Sequence, residues 1–398
     1  MISLLRHAPL RSTLRDDSPG PAMKARIHYA MAAWHERVRW SIPADFMEHS
    51  HFMRVIRRLD WTSSPGYPYM LRNSCNAHLF GAKDDTLDTE KVNHIWSIVQ
   101  QRLIKRDCDP IRLFVKPEVH EKRKLDLEKY RLISSVSVVD QIIDHMLFDE
   151  LNDKMVASWI HIPGKAGWSP FGGGWRFMPR ETWMATDASS WDWTVQPWLL
   201  EMCLEFRARQ CENLDERWLE LASWRYECLY KNPLFITSGG LLLRQKAPGI
   251  MKSGCVNTIS DNSLMQAILH LRVSLEIGMP TIPYLFTMGD DRLQEPIPDE
   301  FLEKYLEVTR QFCILKYAQR KNEFSGFCFE GKWIEPVHRA KHAYNLLHMD
   351  EKVVVPMAHS YVLNYHRSRY ARVMEDLFHK MDVTLFPKDV RDLIFDGF

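Results

Sequence analysis

At 398 residues, with 45% hydrophobic and 26% charged side chains, the chain is long enough for one large globular unit or a few subdomains sharing cores, and too apolar for disorder. Its 52 basic residues against 51 acidic ones leave a formal charge of +1, so any polyanionic partner must be met by local patches rather than by the chain as a whole. No apolar run approaches the roughly 18 residues of a membrane span, charge follows Met1 too soon for a secretory signal, and the 8 cysteines form no CxxC pair, which argues against a zinc framework and for free thiols in a reducing compartment.

In chain order, Asp17–Pro21 (DSPGP) separates an N-terminal arm from a helix expected over Met23–Trp40. Ser63–Pro68 (SSPGYP) is a turn cluster, because glycine supplies unusual dihedrals and proline fixes φ. Helical spacing returns at Thr89–Arg106 and at Val138–Met155, where Val139, Ile142, Ile143, Met146, Leu147 and Leu151 recur every three or four residues. After a Gly- and Pro-rich stretch over Pro163–Gly174, short apolar runs alternate with longer helical ones. Trp183–Thr186 reads as a strand, Trp198–Arg209 and Thr258–Ile277 as helices, and Tyr284–Met288 as a buried strand. Phe301–Phe312 reads as a helix, and Phe324–Ile334 as a hairpin turning at Glu330 and Gly331. Helices follow over Pro336–Leu347 and Ala358–Met381. Such alternation favours an α+β architecture, a sheet with helices packed on one face. Of 14 tryptophans, nine fall between Trp159 and Trp224, and packing in a core accounts for most of them.

Three acidic positions sit where acids are awkward. Asp187 ends the apolar run WMAT, Asp192 follows five residues later, and Asp290 with Asp291 follow Gly289 directly after YLFTM. Carboxylates at the ends of buried strands need offsetting charge, and a divalent cation offsets several together. Each pair taken alone is more readily a turn or helix cap. Between them, Ser253 and Gly254 precede Thr258 and Asn262, which are four apart and share a helix face able to read a sugar hydroxyl. Arg112–Arg131 carries seven basic residues among four acids. A solvated loop is its ordinary reading, and a channel for nucleotide phosphates the sharper one.

The order of these pieces is specific: a basic loop, D-x4-D after a strand, S-G-x3-T-x3-N on a helix, then G-D-D after a strand. It resembles motifs F, A, B and C of the RNA-dependent RNA polymerases of positive-strand RNA viruses. The sobemovirus and luteovirus-like (solemovirus) group is most similar, since RLISSVSVVDQIIDHMLF (131–148) looks like the stretch after its basic loop and SSPGYP like its template-gripping motif G.

The resemblance implies a right hand: fingers over 1–178, with the arm and basic loop, palm over 179–335, with an insertion near 212–248 returning to the fingers, and a short helical thumb over 336–398. It implies that Asp187 and Asp290 hold Mg²⁺, for which Mn²⁺ can substitute, with Asp291 assisting. Asp192, Ser253 and Asn262 would select a ribose, supported by Thr258. Lys116, Lys122, Lys124 and Arg131 would meet the triphosphate or the template, and Ser64, Pro65, Gly66 and Gly254 the template. Lys316, with Lys321 as competitor, would protonate the departing pyrophosphate. FSGFCF (324–329) resembles the primer-grip hairpin, more loosely.

The implied activity is template-directed RNA synthesis from ribonucleoside triphosphates on single-stranded RNA, in host cytoplasm, with other viral proteins recruiting a chain that has no membrane span of its own. A reverse transcriptase-like enzyme and a catalytically silent RNA-binding scaffold are the competing readings. His338 and His342 are four apart on an expected helix, but they lack a third partner at metal-ligand spacing, so a basic helix lining the RNA exit is the preferred reading. Arg367, Arg369 and Arg372 suit a solvated face or phosphate contacts equally.

Overall fold

The computed structural model describes residues 1–397. Its strands run in chain order as β1 (Ile111–Val115), β2 (Leu132–Ser135), β3 (Met184–Ala188), β4 (Leu234–Thr237), β5 (Leu242–Arg244), β6 (Leu285–Met288), β7 (Asp291–Gln294), β8 (Leu315–Arg320), β9 (Glu323–Phe324), β10 (Phe327–Glu330) and β11 (Trp333–Pro336). They form three sheets, ordered β2-β1-β4-β5, β6-β7-β3-β8 and β11-β10-β9. Every pairing is antiparallel except β1 with β4. Helices with mainly antiparallel sheets make the fold α+β, as the alternation of patterns predicts.

The helix Thr258–Glu276 is the spine of the molecule. Leu264, Met265, Ala267, Ile268, Leu269, Leu271 and Val273 surround it with apolar side chains, so it is buried on nearly all sides rather than on one stripe. It packs on β6 and on the helices Pro21–Trp34, Pro197–Arg209 and Asp299–Phe312. A second core, built on Trp168, Phe286, Leu293, Phe324, Phe329 and Ile334, joins the β6–β8 sheet to the β9–β11 sheet. A third lies among the C-terminal helices around Tyr361, Tyr365 and Phe378.

The expected helices over 89–106, 138–155, 198–209, 258–277 and 301–312 are present to within two residues at either end. Five expectations are corrected. The helix expected over 23–40 spans Pro21–Trp34 and stops short of Trp40. There Trp40 bridges to Cys211 and its indole N–H donates to Arg207 O at 2.8 Å, partners that a continued helix would not reach. Strand β3 runs on to Ala188, so Asp187 lies within it rather than beyond it. The hairpin over 324–334 is a three-stranded meander with an additional turn at Ser325–Gly326, where both residues have positive φ. The helix expected over 358–381 is broken into Val354–Asn364 and Ala371–His379. Glu335 of β11 captures the turn between them, accepting from Ser368 Oγ at 2.5 Å and Arg369 N at 2.9 Å. Pro336 itself closes β11, so the preceding helix starts at Arg339.

Burial of His270 in the spine carries a pH signature. Its Nε2–H donates to Pro283 O at 2.8 Å and its Nδ1 faces Tyr305 Oη at 2.6 Å, so both ring nitrogens are used in the neutral form. Burial, then the nearby Arg292, pushes its pKa down to about 3. The unfolded chain binds a proton below about pH 6.5 that the folded chain refuses, so this contribution is complete above that pH and drains away as pH falls towards 3. Total stability is a poor readout, because burial pushes Asp140 and Asp291 up to about 7 and these acids act in the opposite direction. The expected result is that the stability gap between wild type and His270→Gln, read by urea unfolding, narrows by about 2 kcal/mol between pH 7.5 and 5.0. A gap independent of pH would refute it.

Candidate active site

The β6–β7 hairpin presents the acids. Met288 pairs with Asp291 across it, and Gly289 turns the chain at φ +64°, a conformation that costs glycine nothing. The spine helix holds this turn from behind: Ser263 Oγ accepts from Gly289 N at 3.0 Å and Gln266 Nε2 donates to Asp290 O at 3.2 Å. Strand β3 lies beside β7 with Thr186 opposite Arg292, so one step along the register Asp187 comes beside Asp291. On the other side of β3, Lys316 of β8 places Nζ 2.8 Å from Asp187 Oδ2. Lys321 is instead engaged by Glu323 at 2.5 Å.

These carboxylates repel one another in a poorly solvated place. Burial, then Asp290, Asp187 and Glu323, push the Asp291 carboxyl up to about 7, and burial with Asp187 raises Asp290. Asp187 in turn holds the Lys316 ammonium above the usual lysine range. Among the described residues no three acidic, His or Cys side chains already close into a metal cage. The donor set nonetheless suits a hard divalent cation, since carboxylates on adjacent strands share a negative field that Arg131 and Lys316 offset only in part.

A second constellation flanks the first. The turn after β3 passes through Ser190 at φ +53° into the short helix Trp191–Thr194. This brings Asp192 Oδ1 to 2.9 Å from Asn262 Nδ2 on the spine helix. Burial, then the charge on Asp290, raises Asp192 to about 6, while Asn262 pulls the other way. Ser253 Oγ accepts from Ser134 N of β2 at 3.1 Å. Gly254 bridges to Ser135, and a Cβ there would meet Ser134 O at 2.5 Å, so this position lies too close to β2 for a side chain. Thr258 Oγ1 faces the carbonyls of Cys255 at 2.8 Å and Lys252 at 3.0 Å, and thus pins the loop. Lys252 is fully buried, its Nζ 3.0 Å from Gln245 Oε1 and 3.3 Å from Gly249 O.

The basic segment is more structured than a loop. Arg112 is in β1, Lys122 and Lys124 lie on the exposed helix Lys122–Asp126, and Arg131 immediately precedes β2. The largely buried Glu118 gathers Lys116 at 3.2 Å, Arg131 at 3.5 Å and Lys341 of the helix Arg339–Leu347 at 3.7 Å. Arg131 lowers the carboxyls of both Asp192 and Asp290 by its charge, and Glu121, beside Lys122, acts on Lys316. Pro65 O accepts from Val138 N at 2.8 Å, which seats Ser64, Pro65 and Gly66 on the start of the helix Val138–Ala157. A Cβ on Gly66 would meet Val136 O at 2.8 Å. His342 Nδ1 lies 3.0 Å from Tyr365 Oη, and Arg367 and Arg369 pair with Asp396 and Glu330, so these side chains serve the C-terminal packing.

Sequence reasoning missed Ser263, Gln266 and Glu323. The first two are polar positions on the buried spine helix, and Gln266 is four residues beyond Asn262, on the same face, which was the available signal.

Three relatives are similar to this chain in sequence. Protein P1-P2 of Potato leafroll virus is 33% identical over 262 residues, covering 61% of this chain and 23% of its own length. Replicase polyprotein P2AB of Southern bean mosaic virus is 34% identical over 243 residues, covering 58% and 23%. Protein P1-P2 of Pea enation mosaic virus-1 is 31% identical over 299 residues, covering 64% and 24%. The chain thus spans about a quarter of the length of these relatives. The family model for viral RNA-dependent RNA polymerase matches residues 30–347, a range that contains the acids of β3 and of the β6–β7 turn, the Asp192–Asn262 pair and the basic segment. The chain belongs to the viral RNA-dependent RNA polymerase family, in its solemovirus-like group.

Proposed function

We propose that the protein extends RNA on a single-stranded RNA template, joining ribonucleoside triphosphates to a 3′-hydroxyl with release of pyrophosphate. The observation that carries this reading is the gathering of like-charged carboxylates, Asp187, Asp290 and Asp291, at neighbouring strand ends beside the hydrogen-bonded Asp192–Asn262 pair. Asp187 and Asp290 would hold Mg²⁺, or Mn²⁺ in its place, with Asp291 assisting. The bound ions would supply Lewis-acid charge neutralisation at the reacting oxygens.

The chain's own groups do the rest. Asp192 and Asn262 offer an acceptor and a donor to a ribose hydroxyl. Lys316, kept protonated by Asp187, is a proton source for the departing pyrophosphate. Lys116, Lys122, Lys124 and Arg131 would meet phosphates, and Ser64, Pro65, Gly66 and Gly254 would steer the template. Base choice would come from pairing with the template, the protein mainly positioning and neutralising.

In this reading residues 1–178 are fingers, 179–335 palm and 336–398 thumb. The parallel pairing of β4 with β1 supports the return of the 212–248 insertion to the fingers. The protein would work in host cytoplasm, brought to replication membranes by other viral proteins; among the described residues no helix is long and apolar enough to cross a membrane.

The test is incorporation of labelled ribonucleotides on a defined single-stranded RNA with Mg²⁺ or Mn²⁺. Template-dependent product is the expected result. RNA binding without synthesis under either metal would favour the scaffold reading, and preference for deoxynucleotides a reverse transcriptase-like one.

A further inference from the structure

Trp191 begins the short helix after β3, its ring only 2% exposed within the main core. Taken from the sequence it is one more core tryptophan. In the structure its Nε1–H donates to Asn262 Oδ1 at 3.0 Å, while Asn262 Nδ2 donates to Asp192 Oδ1 at 2.9 Å. An asparagine amide has an accepting end and a donating end, which a half-turn of its terminal torsion exchanges. Indole nitrogen only donates, so it accommodates only the oxygen end, and the amide N–H groups are directed to the Asp192 side. One of them is spent on Asp192 Oδ1. The other, together with Asp192 Oδ2, which takes no hydrogen bond among the described residues, leaves a donor beside an acceptor. That combination matches a hydroxyl, which both accepts and donates, and matches no feature of a C–H.

The backbone carrying the indole is fixed as well. Thr194 Oγ1 donates to Trp191 O at 2.9 Å, Trp193 N to Ser190 O at 3.0 Å, and the ring of His7 from the N-terminal arm lies 5.1 Å from that of Trp193. Trp198, buried a few residues on, shows that a tryptophan here need not have a partner to pack: its Nε1 is enclosed and makes no hydrogen bond among the described residues.

We infer that Trp191 is a positioning residue for sugar selection, locking the Asn262 amide so that the Asp192–Asn262 pair accepts a ribonucleotide in preference to its 2′-deoxy counterpart. This rests on the polymerase reading above. The experiment measures kcat and KM for one ribonucleotide and its 2′-deoxy analogue on the same template, in wild type, Trp191→Phe and Trp198→Phe. Loss of one buried neutral hydrogen bond predicts that Trp191→Phe weakens kcat/KM for the ribonucleotide about fivefold, chiefly through KM, and leaves the deoxynucleotide unchanged. Trp198→Phe, which removes ring volume but no hydrogen bond, should move both substrates together.

If Trp191→Phe unfolds, the same ratio is read on a chain carrying benzothienylalanine at position 191, where sulfur replaces the N–H and the ring volume is kept. A ribo-to-deoxy ratio equal to that of wild type in the folded Trp191 variant, or an equal change of ratio in Trp198→Phe, overturns the inference while leaving polymerase activity standing. Absence of synthesis by wild type overturns the polymerase reading and this inference with it.

Discussion

Asp290→Asn should lose RNA synthesis by roughly a thousandfold while melting no earlier than wild type. The two halves of this expectation come from different parts of the same turn. The shape of the turn is set by backbone groups, Gly289 N on Ser263 Oγ and Asp290 O on Gln266 Nε2, which the substitution leaves in place. Asparagine is close in size to aspartate, so the hairpin has no reason to open. The carboxylate itself is a burden to the fold: burial and the charge of Asp187 raise its pKa, which means that the folded state disfavours its ionised form. Removing that charge relieves repulsion on Asp291 as well, since Asp290 is the second cause of the rise there. A functional acid that costs stability is what a site built to receive cations predicts. The measurement pairs labelled-nucleotide incorporation with a thermal melt, both in wild type and variant. Full activity in a folded Asp290→Asn chain would remove the metal-site assignment; an inactive chain that also melts early would place Asp290 among structural residues instead.

What the sequence made legible was local. Asp187, Asp290 and Asp291 stood out because acids at the ends of apolar runs are costly, and the spine helix stood out because its apolar period continues from Thr258 almost to Ile277. The Thr258–Asn262 face followed from the same period, and Asn262 does meet Asp192. What the sequence hid depends on partners far away along the chain. Nothing near Trp40 announces that Arg207 O and Cys211 will stop the helix Pro21–Trp34 early. Nothing in 358–381 reveals Glu335, which takes Ser368 Oγ and Arg369 N and so breaks a pattern that is helical on its own terms. The parallel pairing of Ile111 with Phe235 is of the same kind. Trp191 is the sharpest case, because its period and hydrophobicity correctly say core, while the one polar atom that matters is invisible to both. The charge count said only where to look: a net charge of +1 hides cations gathered locally by a single acid, Glu118, on the segment facing the site.

The largest loss of stability is expected from Arg207, a residue with no part in the chemistry. Its guanidinium is 1% exposed and meets Asp261, 0% exposed, through Nη2 at 2.7 Å and Nε at 3.1 Å. Nη2 also reaches Asn152 Oδ1 and Ser260 Oγ, each at 3.0 Å, and Tyr226 Oη donates to Asp261 Oδ2 at 2.7 Å. Arg207 and these partners come from four helices, one of them the spine that carries Asn262, Ser263 and Gln266. Arg207→Met fills similar volume but strands a buried carboxylate with one tyrosine hydroxyl, and breaking such a pair from one side costs about 3–5 kcal/mol. Arg207→Lys is not conservative here, because an ammonium cannot reproduce the fork that reaches Asp261 and Asn152 together. Asp261→Asn in the Arg207→Met background removes the stranded charge, so the double variant should recover part of the loss. Denaturant unfolding of the two single variants and the double provides the cycle. An Arg207→Met chain within about 1 kcal/mol of wild type would show that water or a rotated Tyr226 already satisfies Asp261. Loss beyond that, with recovery in the double variant, would identify the pair as the clamp that fixes the spine helix beneath the Asp192–Asn262 site.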